Sequence, residues 1–287
     1  MNKKHFSVTK LDKTFGAIVQ DVKLSKLTEA AAEELFSLWL RRSLLIFPDQ
    51  HLSTKEQIEF AKLFGVMEFD LAPISNVRSD GSIRDPIDDD IVKSLRGNME
   101  WHHDSTYMPI QAKGSVFTAH QVPAEGGETG WADMTAAYDA LDQKMKDKIE
   151  GLSAYHSYLY SQAKYKHKSQ EESEFSGYGF DVDPHPFRPL VKTHPETGRK
   201  SLLIGRHAYG IPGMSKNDSK GLLDELNDFA CQGDRVYHHS WTPGDAVIWD
   251  NRNLMHQACP WDLNEARVMY HSRIQGDASS ESGLNYL

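Results

Sequence analysis

Cysteine is scarce in this sequence. Cys231 and Cys259 are the two among 287 residues, too few for a disulfide framework and not spaced as a CxxC metal site. Both are expected to be buried thiols in a reducing compartment. Basic residues are also in deficit, with 32 Lys and Arg against 41 Asp and Glu and a net charge of -9. Nucleic acids and anionic membrane surfaces are held by clustered Lys and Arg, so this balance excludes a general binder of either. It leaves room for a local basic pocket that takes a small anion. Long apolar runs are missing as well. Clusters such as Leu44-Leu45-Ile46-Phe47 fall far short of the roughly 20 residues that span a bilayer. Lys3 and Lys4 have no apolar stretch behind them, so no secretory signal is expected. There are no internal repeats or low-complexity tracts. The expectation is a cytoplasmic globular protein, with residues 1–287 forming one domain.

What is there centres on Trp101-His102-His103-Asp104. Residues two apart on a strand point to the same face, so the imidazole of His102 and the carboxylate of Asp104 are expected to converge. Two ligands do not hold a catalytic metal. The best third candidate is His256, at the end of Trp249-Asp250-Asn251-Arg252-Asn253-Leu254-Met255-His256. Two histidines and one carboxylate, with open positions left over, suit a non-haem Fe(II) oxygenase. With 14 histidines in the chain, a His-x-Asp pair arises readily by chance, and an isolated strand histidine is more often structural. The conjunction with a distant His256, and with Arg267 at the start of a later strand, gives the pair weight.

The surrounding pattern is strand-rich. Residues 6–24 read as one or two edge strands. Thr28 caps a helix ending near Arg42, and Ser53-Thr54-Lys55-Glu56 is a capping box for a second helix. Residues 66–97, with Pro73, Ser79-Asp80-Gly81, Pro86 and Asp88-Asp89-Asp90, read as a long irregular lid. Strands are expected from 115 to 122, 190 to 194, 200 to 204, 236 to 241, 246 to 249 and 267 to 274. Helices are expected near 134–142, 143–152 and 216–231. The polar stretch 160–185 reads as a second lid-like insertion. Many short strands with peripheral helices imply a mainly β core, a sandwich or barrel.

Taken together, Trp101-His102-His103-Asp104, Gly126-Gly127-Glu128-Thr129, Trp249-Asp250-Asn251-Arg252 with His256, and Arg267 resemble the TauD/TfdA family of Fe(II)- and 2-oxoglutarate-dependent dioxygenases over about residues 6–277. Ile74-Ser75-Asn76-Val77, Asp80-Gly81, Ala136-Ala137-Tyr138-Asp139-Ala140-Leu141 and Gly198-Arg199-Lys200 are similar to its 2,4-dichlorophenoxyacetate dioxygenase branch. The resemblance implies a double-stranded β-helix, or jelly roll. It implies His102, Asp104 and His256 as iron ligands, and Thr129 and Arg267 as the holders of the distal carboxylate of 2-oxoglutarate. A guanidinium fork and a hydroxyl are suited to that task. The implied reaction consumes O2, hydroxylates a small molecule and releases succinate and CO2. Asp104 argues against halogenation, in which the carboxylate position is vacated for halide. Members are commonly oligomeric, so a homo-oligomer is expected.

The family often carries a second arginine four residues after the first, used by some members to hold an anionic substrate group. Here that position is His271, on the same strand face as Arg267, with Arg273 two residues further on. Either is a candidate anchor. Asn98 matches a position that contacts substrate in some relatives, and Tyr107, His207 and Tyr209 are further pocket candidates. Asp250 and Arg252 are expected to form a buried pair bracing the loop before His256. The implied substrate is a small anion bearing a carboxylate, aryloxyalkanoate-like, with a taurine-type sulfonate as the alternative. A Zn hydrolase on the same triad and a non-catalytic jelly-roll binder are the other classes. Succinate formation that needs both Fe(II) and 2-oxoglutarate separates all of these.

Overall fold

The computed structural model describes residues 5–167, 174 and 176–287. In chain order the elements are β1 (Ser7–Lys10), β2 (Ala17–Gln20), α1 (Glu29–Arg42), β3 (Leu44–Phe47), α2 (Thr54–Lys62), β4 (Met67–Ser75) and α3 (Asp90–Gly97). There follow β5 (Ala112–Gln121), β6 (Thr129–Asp133), α4 (Met134–Ala140), α5 (Gln143–Ile149), β7 (Ser153–His156), α6 (Tyr158–Gln162), β8 (Phe187–Pro189), β9 (Val191–Thr193), β10 (Lys200–Leu202) and β11 (Ala208–Tyr209). The chain ends with α7 (Lys216–Ala230), β12 (Val236–His239), β13 (Ala246–Asp250), β14 (Leu254–Ala258), β15 (Val268–Gln275) and α8 (Ala278–Glu281).

A seven-stranded sheet, in the order β1-β2-β3-β13-β5-β15-β4, faces a three-stranded sheet, β12-β6-β14. Small sheets of β11-β7-β8 and β9-β10 extend the second side. This is the jelly roll that the sequence led us to expect. The period of two on each strand divides the apolar residues between layers. Leu44 and Ile46, Phe117, Val247 and Trp249 face inward and meet Trp131 and Leu254 from the smaller sheet. Leu45, Phe47, Val116 and Ile248 face the other way, onto Leu35, Trp39 and Phe60 of α1 and α2. Ala132 and Met255 likewise turn outward, onto Leu222 and Leu226 of α7. Central strands covered on both faces read as unbroken apolar runs for this reason.

The helices start where their caps place them. Thr28 accepts from the amide of Ala31 at 3.3 Å, and Ser53 with Glu56 completes a reciprocal capping box. α1 stops at Ser43, whose φ of 61° turns the chain straight into β3.

Residues 66–97 depart from the irregular segment that the turn signals predict. They contain β4 and α3. Pro73 was the misleading signal: β4 is the edge of the large sheet, where a missing N–H removes no ladder bond. The acidic run, too, has a local role, since Asp89 caps α3 through the amides of Ile91 and Val92. Part of the expected 160–185 insertion lies outside the described residues; its start forms α6. Among the described residues no helix is long and apolar enough to cross a membrane.

Candidate metal centre and anion pocket

A cavity of about 500 Å³ is lined from both sheets. His256 enters it from β14, whose alternation puts Leu254 and His256 inward and Met255 outward. His102 is tied to that strand by reciprocal backbone bonds with His256, 3.0 and 2.8 Å long. His102 and Asp104 do converge, but not along a regular strand. Only His102 makes a bridge, and the chain then turns through Asp104 and Ser105, where φ is 54°. The donor atoms of His102, Asp104 and His256 all lie within 4.8 Å of one another, and all three residues are buried.

The electrostatics suit a cation. Nδ1 of His102 is 2.7 Å from the carbonyl of Glu100. A carbonyl can only accept, so this nitrogen carries the proton and Nε2 keeps its lone pair. Burial lowers the pKa of both His102 and His256, so the rings are neutral and ready to ligate. Burial pushes the Asp104 carboxyl up, but the Arg273 guanidinium and the neighbouring imidazoles of His256, His271 and His102 together hold it well below the usual carboxylate range. Arg273 Nη2 donates to Asp104 Oδ1 at 3.0 Å, and Ser115 Oγ donates to Oδ2 at 3.0 Å.

The turn between β13 and β14, which leads into His256, is braced by buried ion pairs. Asp250 accepts from Arg252 Nε and Nη2, both at 2.8 Å, and from His194 Nε2 at 2.9 Å. Asn251 joins this turn to the segment carrying His102 and Asp104: its side-chain oxygen accepts from the amide of Asp104 at 2.8 Å, and its amide nitrogen donates to the carbonyl of Asp104 at 2.9 Å. His103, next to His102, turns away and donates from Nδ1 to the carbonyl of Asn251 at 2.7 Å.

Arg267, Met269, His271 and Arg273 share the inward face of β15 and its approach, as the strand period requires. The three cationic candidates in the cavity differ in their commitments. Arg273 is spent on Asp104 and on Ser105 Oγ. His271 lies 3.5 Å from Asp104 without a hydrogen bond, and burial pushes its pKa down to about 3, so it is neutral. Arg267 donates Nε to the carbonyl of Gly127 at 3.0 Å, while its buried Nη2 has no partner among the described residues. Burial pushes Arg267 down to about 10, which leaves it cationic at neutral pH. Gly126 and Gly127 both have positive φ, and a Cβ on Gly127 would lie 3.2 Å from Arg267 Nε; glycine is needed there to let the guanidinium in. Thr129 lines the same part of the cavity and accepts from Trp241 Nε1 at 3.0 Å.

Asn98, Tyr107 and His207 line the cavity. Tyr209 does not belong with them: its ring stacks on Tyr160 at 4.6 Å, on the edge strand β11. Three lining residues had no sequence signal that singled them out. Phe69 comes from the unpredicted β4, and Trp249 reads as core. Arg206 follows β10 with no periodic pattern around it.

A jelly roll that brings two imidazoles and one carboxylate to a point, with a guanidinium that keeps an uncommitted nitrogen in the same cavity, is the architecture of a non-haem iron oxygenase. Residues 7–273 match the Taurine catabolism dioxygenase TauD, TfdA family, and the chain belongs to that family. It is 58% identical over 281 residues to an (S)-phenoxypropionate/alpha-ketoglutarate-dioxygenase of Sphingobium herbicidovorans, covering 97% of this chain and 98% of that one. It is 34% identical over 280 residues to an alpha-ketoglutarate-dependent 2,4-dichlorophenoxyacetate dioxygenase of Cupriavidus pinatubonensis, covering 92% and 96%. Among solved structures, AAD-2 in complex with Mn(II) and N-oxalylglycine superposes with a TM-score of 0.87 at 35% identity, covering 97% of this chain and 100% of that one.

Proposed function

We propose that this chain is an Fe(II)- and 2-oxoglutarate-dependent dioxygenase that oxidises 2-aryloxyalkanoates, with (S)-2-phenoxypropionate as the representative substrate. One observation carries the reading: the cavity holds both a convergent His102, Asp104 and His256 and an arginine, Arg267, with an unclaimed buried nitrogen. His102, Asp104 and His256 are assigned to the iron, and Thr129 with Arg267 to the distal carboxylate of 2-oxoglutarate. Zinc hydrolysis on the same triad, or simple binding, would leave Arg267 without a task. The relatives whose names specify phenoxypropionate and 2,4-dichlorophenoxyacetate support the substrate class.

Iron and 2-oxoglutarate supply, with O2, an oxidant for a substrate C–H bond, and succinate and CO2 leave. The protein places that bond and keeps water out. Phe69, Leu71, Ile74, Ile91 and Leu95 give the cavity an apolar wall suited to an aryl ring. Hydroxylation at the carbon bearing the ether oxygen gives a hemiketal. Its O–C bond then breaks, the aryl oxygen keeps the electron pair and takes the hydroxyl proton, and a phenol and a 2-keto acid result.

The two insertions meet at the cavity mouth. Glu174 lines the cavity and accepts from Arg84 Nη1 at 2.9 Å and from Arg78, which supports a paired lid. The same reading takes the chain as one domain and the enzyme as a cytoplasmic homo-oligomer. The test is anaerobic addition of Fe(II) and 2-oxoglutarate to the purified protein. A weak visible charge-transfer band is expected, perturbed by (S)-2-phenoxypropionate more than by its mirror image, with phenol and succinate formed in equal amounts once O2 is admitted. Absence of the band with metal demonstrably bound would sink the oxygenase reading.

A further inference from the structure

Counting charge inside the cavity leaves one cation unexplained. Arg273 is neutralised by Asp104, and Arg267 is assigned to 2-oxoglutarate. Arg206 remains. Its backbone amide is fixed to the carbonyl of Trp101, the residue next to His102, at 2.9 Å. Its side chain is 4% exposed, and Nε, Nη1 and Nη2 are all buried with no hydrogen-bond partner among the described residues. The nearest carboxylate, Glu100, is 3.9 Å from Nη1 and already accepts from Lys164 at 2.7 Å and from Tyr165 at 3.0 Å. The guanidinium otherwise rests over the ring of Tyr158, 5.6 Å from its centroid.

Leaving a buried guanidinium unsatisfied is costly, so a structure that retains one has a use for it. A second donor points to the same place. The amide nitrogen of Gln162 is buried without a partner among the described residues, and a Cβ on Gly97 would lie 2.1 Å from Arg206 Nη1 and 2.5 Å from Gln162 Nε2. Both donors therefore sit over the bare Cα of Gly97, at the end of α3.

We infer that Arg206 is the anchor for the carboxylate of the substrate, with the Gln162 amide as a supporting donor and Gly97 as the clearance that lets the guanidinium reach it. This rests on the proposed function for the nature of the substrate. It assigns the role that the sequence pattern offered to His271 or Arg273: the first is neutral and the second is occupied. A guanidinium fork matches a carboxylate in two parallel bonds, which a single imidazole does not reproduce.

The test is calorimetric binding of (S)-2-phenoxypropionate and of its primary amide, without turnover, to the wild type and to Arg206→Met, Arg206→Lys and Gly97→Ala. The wild type is expected to prefer the carboxylate. Arg206→Met should weaken carboxylate binding by roughly 10- to 100-fold and leave the amide nearly unchanged. Gly97→Ala should act in the same direction without removing any charge, and Arg206→Lys should fall between. Because Arg206 is unsatisfied in the free protein, Arg206→Met should melt no lower than the wild type. Two results overturn the inference: a carboxylate preference that survives Arg206→Met, or a loss confined to 2-oxoglutarate binding. Neither depends on the charge-transfer band, so the anchor can stand or fall separately from the oxygenase chemistry.

Discussion

Arg273 and Asp104 meet across 3.0 Å in the interior, each less than a tenth exposed. The pair links a strand of the large sheet to the segment carrying His102 and Asp104. It keeps the carboxylate ionised in a place where burial alone would protonate it. Because the Asp104 pKa is depressed in the folded protein, its contribution to stability is present above the unfolded carboxyl pKa near ~3.9. That contribution is lost as pH falls through the lower folded value. Arg273→Met leaves the buried charge without its cation and should destabilise the metal-free protein at pH 7 by about 3–5 kcal/mol. The deficit should shrink on acidification, as the variant's Asp104 takes up a proton. Urea unfolding at pH 7 and pH 5 checks this; a deficit that does not depend on pH would detach Arg273 from the charge on Asp104.

Asp250 is a second buried carboxylate with a different task. It holds the turn between β13 and β14, so it sets where His256 emerges. Burial pushes it up, yet Arg252 and His194 hold it far below the ordinary range. The same sign applies: its stabilisation is present above about pH 4 and fades as pH falls further. Asp250→Asn should cost about 3–5 kcal/mol at pH 7, and its acid unfolding should depend less on pH below 4 than that of the wild type. Paired acid titrations followed by circular dichroism measure both.

Thr129 accepts from Trp241 Nε1, which leaves its own hydroxyl hydrogen free to donate into the cavity. Thr129→Val removes that donor and strands the Trp241 N–H. The affinity for 2-oxoglutarate should fall about tenfold, while Thr129→Ser should stay near the wild type. Titration of the anaerobic charge-transfer band reads the difference, and an unchanged Thr129→Val would remove this residue from the cosubstrate site.

How much of this was legible follows from what kind of signal each residue gives. Periodicity reports faces, so Arg267, His271 and Arg273 could be put on one side of a strand before any fold was known. It also divides Leu44 and Ile46 from Leu45 and Phe47. Pro73 misled because the sequence does not say which strand is the edge. His102 and Asp104 converge for a reason other than the strand geometry that pointed to them, a bridge followed by a turn. Arg206 was invisible because its significance is a missing partner, and partners are set by tertiary contacts. The same holds for Arg273, which looked like a free cation until Asp104 was found opposite it.

His102 and His103 are adjacent, both buried and chemically identical, yet the fold assigns them opposite faces. His102 joins the cluster with Asp104 and His256. His103 spends Nδ1 on the carbonyl of Asn251 and has no part in the cluster. Metal binding to the folded state should therefore separate them. A divalent ion at 100 times its dissociation constant adds about 2.7 kcal/mol of stability, a rise of about 5 °C in the melting temperature for a chain of this size. Mn(II) is a convenient probe because it does not oxidise in air during the scan. His102→Ala and His256→Ala should lose the Mn(II)-dependent rise. His103→Asn keeps a donor near the Asn251 carbonyl, and it should melt lower overall while keeping the rise. If His103→Asn lost the metal response and His102→Ala retained it, the ligand assignment would have to move by one residue. The contact of His102 Nδ1 with the carbonyl of Glu100, which leaves Nε2 free to ligate, would then have no purpose.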